Sequence, residues 1–147
     1  MAEVAEKSIV ARAPDEVWAT LAQYDAISRW ASNVDHSCLT TEQGEGVGAV
    51  RRVQVGRNVL LERVVEWEAG ERLSYAIEGL PSVVRSVTNT WQLDATDGAT
   101  AVTLTTRVDA GPRPPQQLIA RALGRVMART SREMLAGLKS HLEEDVT

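Results

Sequence analysis

The chain has 147 residues, enough to bury one sizeable core and too few for a second beside it, so a single domain over 1–147 is expected. It is 44% hydrophobic and 24% charged, the make-up of an ordinary globule, and it contains no run of about 18 apolar residues that would span a membrane. The net charge of -4 speaks against a nucleic-acid partner, because phosphate binding needs a concentrated positive field.

The opening "MAEVAEKSIV" places acids where a secretory signal would be basic and has no apolar segment, so a cytoplasmic location is the expectation. Val4 to Arg12 alternates as a strand and stops at Ala13-Pro14. Pro14 suits the first position of a helix, and Asp15 and Glu16 favour its positive end, which predicts a short helix from Pro14 to about Gln23 with Val17, Trp18 and Leu21 on one face. A second short helix, about Ala26 to Ala31, carries Ile27 and Trp30.

From Val34 the period changes to two, and strands are predicted at roughly 34–42, 48–55, 58–68, 72–79, 84–95 and 100–109. The first contains Cys38, the only cysteine, which excludes an internal disulfide and a thiolate cluster. With His36 and the distant His141 it falls short of the convergent ligands zinc needs, so no metal or other cofactor is expected and the thiol reads as buried and inert. Next comes "QGEGVGAVRR", with glycines at 44, 46 and 48. A phosphate cradle uses glycines that open a helix, whereas here a strand follows, so the stretch reads as a hairpin turn with Gly46 or Gly48 at positive φ, and Arg51 and Arg52 as strand residues.

The remaining separators, Gly56-Arg57, Ala69-Gly70-Glu71, Gly79-Leu80-Pro81 and Thr96-Asp97-Gly98, are too short for parallel crossovers, so the strands form an antiparallel meander. The cluster "AGPRPP" ends the sheet. A long helix follows from Pro115 to about Glu144, with a largely apolar stripe at 119, 122, 123, 126, 127, 130, 134, 135, 138 and 142. Arg121, Arg125, Arg129 and Arg132 run down another side, either as a solvated face or toward an acidic partner or anionic lipid. At about 45 Å this helix is the one element long enough to cover a curved sheet.

These segments carry a resemblance. "SIVARAPDEVWATLAQYDAISRWASNV", "GEGVGAVRR", "LERVVEWEAGERLSYAIEGLP" and "TWQLDATDGATAVTLTTRVDAGP" resemble the helix-grip proteins of the SRPBCC or START-like superfamily, of birch-pollen-allergen type, and within it the polyketide cyclase/dehydrase family. The resemblance implies an α+β helix-grip fold: a seven-stranded curved antiparallel sheet around the long C-terminal helix, with two short helices after the first strand. It also implies an internal cavity for a hydrophobic small molecule.

Strand parity sorts the lining of such a cavity. On 58–68 the more apolar set is Val59, Leu61, Arg63, Val65 and Trp67, and this set is placed inside. The inner sets that follow are Leu73, Tyr75 and Ile77; Arg85, Val87, Asn89, Trp91 and Leu93; and Val102, Leu104, Thr106 and Val108. On the long helix Met127 and Met134 offer adaptable surface, with Thr130 the small polar group between them. Trp30 falls where the family places a pocket wall, and Trp67 and Trp91 serve as wall or as filler.

The expected ligand contacts are therefore Trp30, Leu61, Trp67, Asn89, Trp91, Leu104, Met127, Thr130 and Met134. The inward polar exceptions Arg63, Tyr75 and Arg85 are the candidate catalytic groups, either as ligand contacts or as structural ion pairs. If the protein is an enzyme, it would be an aromatase/cyclase that folds a poly-β-ketone, with an Arg or Tyr stabilising the enolate oxygen. The alternative is a non-enzymatic carrier or sensor of a lipid or quinone. The partner in either case is a hydrophobic small molecule, bound by a monomer or a homodimer, with no nucleic acid and no membrane span.

Overall fold

The structure is a computed structural model and describes residues 2–144. Met1 and residues 145–147 of the expected 1–147 span lie outside the described residues. Strand β1 (Ala2–Val10) leads into helix α1 (Pro14–Ala22), which begins on Pro14 and carries Asp15 and Glu16 in its first turn. A 3-10 segment, Tyr24–Arg29, takes the place of the second predicted helix and starts two residues earlier, because α1 ends at once and the chain kinks at Ala26.

The meander then runs β2 (His36–Leu39), β3 (Val50–Val55), β4 (Asn58–Glu68), β5 (Arg72–Glu78), β6 (Ser86–Thr96) and β7 (Ala99–Asp109). All pairings are antiparallel, in the order β1-β7-β6-β5-β4-β3-β2, so the first strand closes onto the last. β2 is shorter than the predicted 34–42, because Thr40 and Thr41 already belong to the glycine-rich turn, where Thr41 Oγ1 donates to the Gln43 carbonyl. β2 is also the sheet edge, and Cys38 there is exposed rather than buried. Gly46 and Gly48 both take positive φ, 82° and 100°, and the Gln43 amide donates to the carbonyls of Glu45 and Val47 across the turn.

Helix α2 (Pro114–Glu144) packs on β1 and β7 and covers the concave face. Its buried stripe is Ala120, Gly124, Ser131, Met134, Leu135 and Leu138, which corrects the predicted one at its N-terminal half. Ile119 and Val126 are exposed there, because Gly124 turns to the sheet and lies against Ala2 and Val4. Of the helix arginines Arg132 pairs with Glu6 at 2.7 Å, while Arg121, Arg125 and Arg129 are exposed. No helix among the described residues is long and apolar enough to cross a membrane.

Near its C-terminal end α2 presses on the end of the 3-10 segment, where a Cβ on Gly137 would collide with the Trp30 carbonyl oxygen. In an open helix Gly→Ala stabilises by about 1 kcal/mol. Here Gly137→Ala should reverse that sign and destabilise by about 1–3 kcal/mol, since backbone cannot rotate out of the way. A urea denaturation series reads the sign directly, and a stabilised variant would show that the helix stands off Trp30.

Candidate functional site

The space between sheet and helix is a cavity of about 290 Å³. Its floor comes from β3 to β6 through Val53, Leu60, Glu62, Ile77 and Asn89, and its roof from Met127, Thr130 and Met134 of α2. Ile27, Asn33 and Val34 close one side, and the turn Gly79–Pro81 forms the lip. The walls are mostly apolar, so the few polar side chains define what the cavity can recognise.

Beneath this floor lies a buried polar cluster that begins with a two-residue hairpin. The turn Gly56-Arg57 sets Val55 opposite Asn58 and, counting back, Arg51 opposite Glu62. Arg51 Nε donates to Glu62 Oε1 at 2.7 Å, with side-chain exposures of 3% and 8%. Arg51 Nη1 donates to the Tyr24 carbonyl at 2.9 Å, and the guanidinium lies 3.9 Å from the Tyr24 ring centroid and 4.6 Å from that of Tyr75. Burial works against the Arg51 charge, but Glu62 together with Tyr75 and Tyr24 more than offsets it, and the guanidinium is held protonated. Tyr24 Oη in turn donates to the Glu62 carbonyl at 2.7 Å.

A second polar row crosses β5, β6 and β7, where Tyr75, Asn89 and Thr106 stand opposite one another. Thr106 donates to Asn89 Oδ1 at 2.6 Å, and Asn89 Nδ2 and Trp91 Nε1 point their hydrogens to Tyr75 Oη at 3.4 and 3.2 Å. Ser131 of α2 reaches Thr106 at 3.4 Å. Among the described residues, Asn33 Oδ1 is the buried side-chain polar atom with no hydrogen-bond partner.

Parity placed several expected site residues on the wrong side. Glu62 and Val64 point inward on β4, so Arg63, Val59 and Val65 point out, and Leu61 with them. Apolarity chose the other face because it counted Glu62 as a surface charge, whereas Arg51 neutralises it in the interior. Arg63 instead meets Glu78 at 3.4 Å on the solvent side. A bulge between Val64 and Glu66 then reverses the parity, which turns Trp67 inward against Trp18, ring centroids 5.1 Å apart. Arg85 lies just before the start of β6, exposed, with its backbone N–H donating to the Asp109 carbonyl.

Of the other expected residues, Asn89, Met127, Thr130 and Met134 line the cavity. Tyr75, Trp91 and Leu104 are fully enclosed in the core, and Trp30 backs onto Trp91 edge to face at 5.6 Å. Sequence reasoning missed Arg51, Glu62 and Asn33. The first two were within reach, because Ala49, Arg51, Val53 and Val55 share the more apolar parity of their strand and the Gly56-Arg57 turn puts Glu62 across from Arg51.

Tyr24 and Tyr75 are the only tyrosines in the chain. Burial, with the Glu62 charge pushing the same way, holds both hydroxyls protonated far above their ordinary value of 10.0. The unfolded chain releases these protons above pH 10 and the folded chain keeps them, so this contribution to stability is intact below pH 10 and is lost as pH rises beyond it. In an alkaline titration, tyrosinate absorbance should therefore appear only together with loss of the far-ultraviolet circular dichroism. Tyrosinate forming near pH 10 in the folded protein would mean that the cluster is open to water.

Comparison with known proteins agrees with this geometry. The family model described as "Polyketide cyclase / dehydrase and lipid transport" matches residues 1–143. No curated protein sequence matches the chain. Among solved structures, the Zhui aromatase/cyclase from Streptomyces sp. R1128 superposes with a TM-score of 0.81 at 19% identity, covering 99% of this chain and 96% of that one. A protein from Thermobifida fusca gives 0.80 at 25% identity, with 97% and 96% covered. Ara h 8.0201 gives 0.74 at 13% identity, with 98% and 99% covered. The named proteins at these identities establish the helix-grip fold.

Proposed function

The chain belongs to the polyketide cyclase/dehydrase and lipid transport family, and from that premise we propose that it binds a compact hydrophobic molecule, polyketide-like or otherwise cyclic or lipidic, and releases it unchanged. The observation that carries this is the cavity of about 290 Å³ between sheet and α2, apolar on most sides and marked by Asn33, Glu62 and Asn89. That volume sits at the lower end of small-molecule sites, about 300–1,000 Å³, and suits a ligand of one or two fused rings.

Carriage is favoured over cyclisation by where the cationic groups lie. A cyclase of the expected kind needs Arg63 or Arg85 at the developing enolate. Both are exposed, Arg51 is spent on Glu62, and Tyr75 Oη is enclosed in the core with Asn89 and Trp91.

Native mass spectrometry of protein purified from its own host tests the reading, and the same spectrum reports whether the binding unit is a monomer or a homodimer. The expected result is a mass increment that vanishes on denaturation and is lost from Thr130→Trp, whose indole would fill the roof of the cavity. A wild-type protein that carries no increment and takes up no apolar fluorophore would overturn it.

A further inference from the structure

The N-terminal half of α2 presents to solvent a face that packing against the sheet does not use. Five arginines and no acidic residue stand between Ala110 and Arg132, in a chain whose net charge is -4. At 3.6 residues per turn Leu118, Ala122, Arg125, Val126 and Arg129 share about 100° of helix surface, opposite the buried Ala120, Gly124 and Ser131. Leu118 is 64% exposed and Val126 62%. Arg121, Arg125 and Arg129 are exposed as well, and none forms an ion pair with another described residue.

A helix face that meets only water gains from opposite charges three or four residues apart. Here Arg121, Arg125 and Arg129 repeat one charge at every fourth position and repel one another, with large apolar side chains between them. An anionic surface relieves that repulsion, and an apolar layer behind it takes up Leu118 and Val126. A bilayer with acidic headgroups offers both together, whereas an acidic peptide offers only the first. The cavity lip adds to the same end of the molecule. Arg85 N–H donates to the Asp109 carbonyl at 2.7 Å, just before the chain enters α2, which ties the lip to the start of the helix. Between them the turn Pro81–Val84, closed by a 3.0 Å hydrogen bond, leaves Val83 57% exposed.

We infer that this face, Leu118, Arg121, Arg125, Val126 and Arg129 with Val83 of the lip, docks on an anionic phospholipid surface, α2 lying along the headgroups. The arginine forks pair with lipid phosphate while Leu118 and Val126 enter the acyl boundary, so the chain rests on the bilayer without spanning it. Docking goes beyond the binding reading above and does not depend on it, because none of these side chains lines the cavity.

Co-sedimentation with vesicles of phosphatidylcholine alone, and of phosphatidylcholine mixed with phosphatidylglycerol, tests this. The expected result is that the mixed vesicles carry the chain down, the neutral ones do not, and added salt weakens the binding. Changing Arg121, Arg125 and Arg129 together to Gln should weaken it about a hundredfold, since each arginine at an anionic surface contributes about fivefold. Leu118→Ser with Val126→Ser should weaken it about tenfold, an effect that a purely electrostatic contact would not show. Arg63→Gln with Arg107→Gln, on the solvent side of the sheet, should change it by no more than about twofold. All these positions are exposed, so each variant should keep the wild-type far-ultraviolet circular dichroism. The inference is overturned if mixed vesicles leave the chain in solution, if neutral vesicles bind it equally, if either α2 variant binds as wild type does, or if the sheet variant loses as much as the arginine variant. Retention on polyglutamate without vesicle binding would assign the face to an acidic protein and overturn it too. None of these results touches the binding reading, which native mass spectrometry decides by itself.

Discussion

Arg51→Met is expected to destabilise the fold by about 3–5 kcal/mol, because it leaves the Glu62 carboxylate buried without its counter-charge. The cost comes from the abandoned partner more than from the lost attraction. Glu62→Gln should cost less, since the guanidinium would still lie over two tyrosine rings and still donate to the Tyr24 carbonyl. A double variant, Arg51→Met with Glu62→Leu, should recover most of the loss, because a buried ion pair replaced by apolar groups of similar volume is commonly neutral or better. Urea midpoints at constant slope measure all three, and a drop below about 1 kcal/mol for Arg51→Met would mean that water reaches the pair.

Trp91→Ala should be comparably severe, about 3–5 kcal/mol. Trp91 is 1% exposed, stands between Leu73 and Leu104 on neighbouring strands, and meets Trp30 edge to face. Its removal empties a ring-sized volume between the 3-10 segment and the sheet and takes one of two hydrogen bonds from Tyr75 Oη. Trp91→Phe separates these effects, since it keeps a ring against Trp30 and loses only the indole N–H. The phenylalanine variant should retain more than half of the stability that alanine loses, and equal losses would assign the effect to the hydrogen bond alone.

Both predictions concern residues whose weight was only partly legible beforehand. Trp91 stood on the correct face of its strand because Val87, Asn89, Trp91 and Leu93 form an unambiguous alternation with no bulge. Arg51 was passed over as an ordinary strand residue beside Arg52, although its strand alternates as clearly. The difference is chemical: an apolar residue announces its burial by type, whereas an arginine is buried only if something elsewhere neutralises it.

On α2 the same limit took another form. Every apolar residue within the predicted stripe was compatible with a helix, but a wide stripe does not say which part faces the sheet. Small residues decided it, with Gly124 approaching Ala2 and Val4, and Gly137 the Trp30 carbonyl. These close approaches rotate Ile119 and Val126 into solvent.

The sequence by itself determined the order of the elements, the antiparallel meander and the covering helix. Those depend on local chemistry: side-chain period, positive-φ glycines at turns, and Pro14 and the Pro112–Pro115 cluster at helix starts. Only the tertiary structure decided which face of β4 turns inward and which buried side-chain acceptor is left without a partner. The first depends on a pair of charges 11 residues apart that are tolerable inside only together, and on a bulge that reverses parity at Val64/Glu66. The second depends on Asn33 Oδ1 being enclosed where no protein hydrogen reaches it, which is a property of the packed surroundings and not of asparagine.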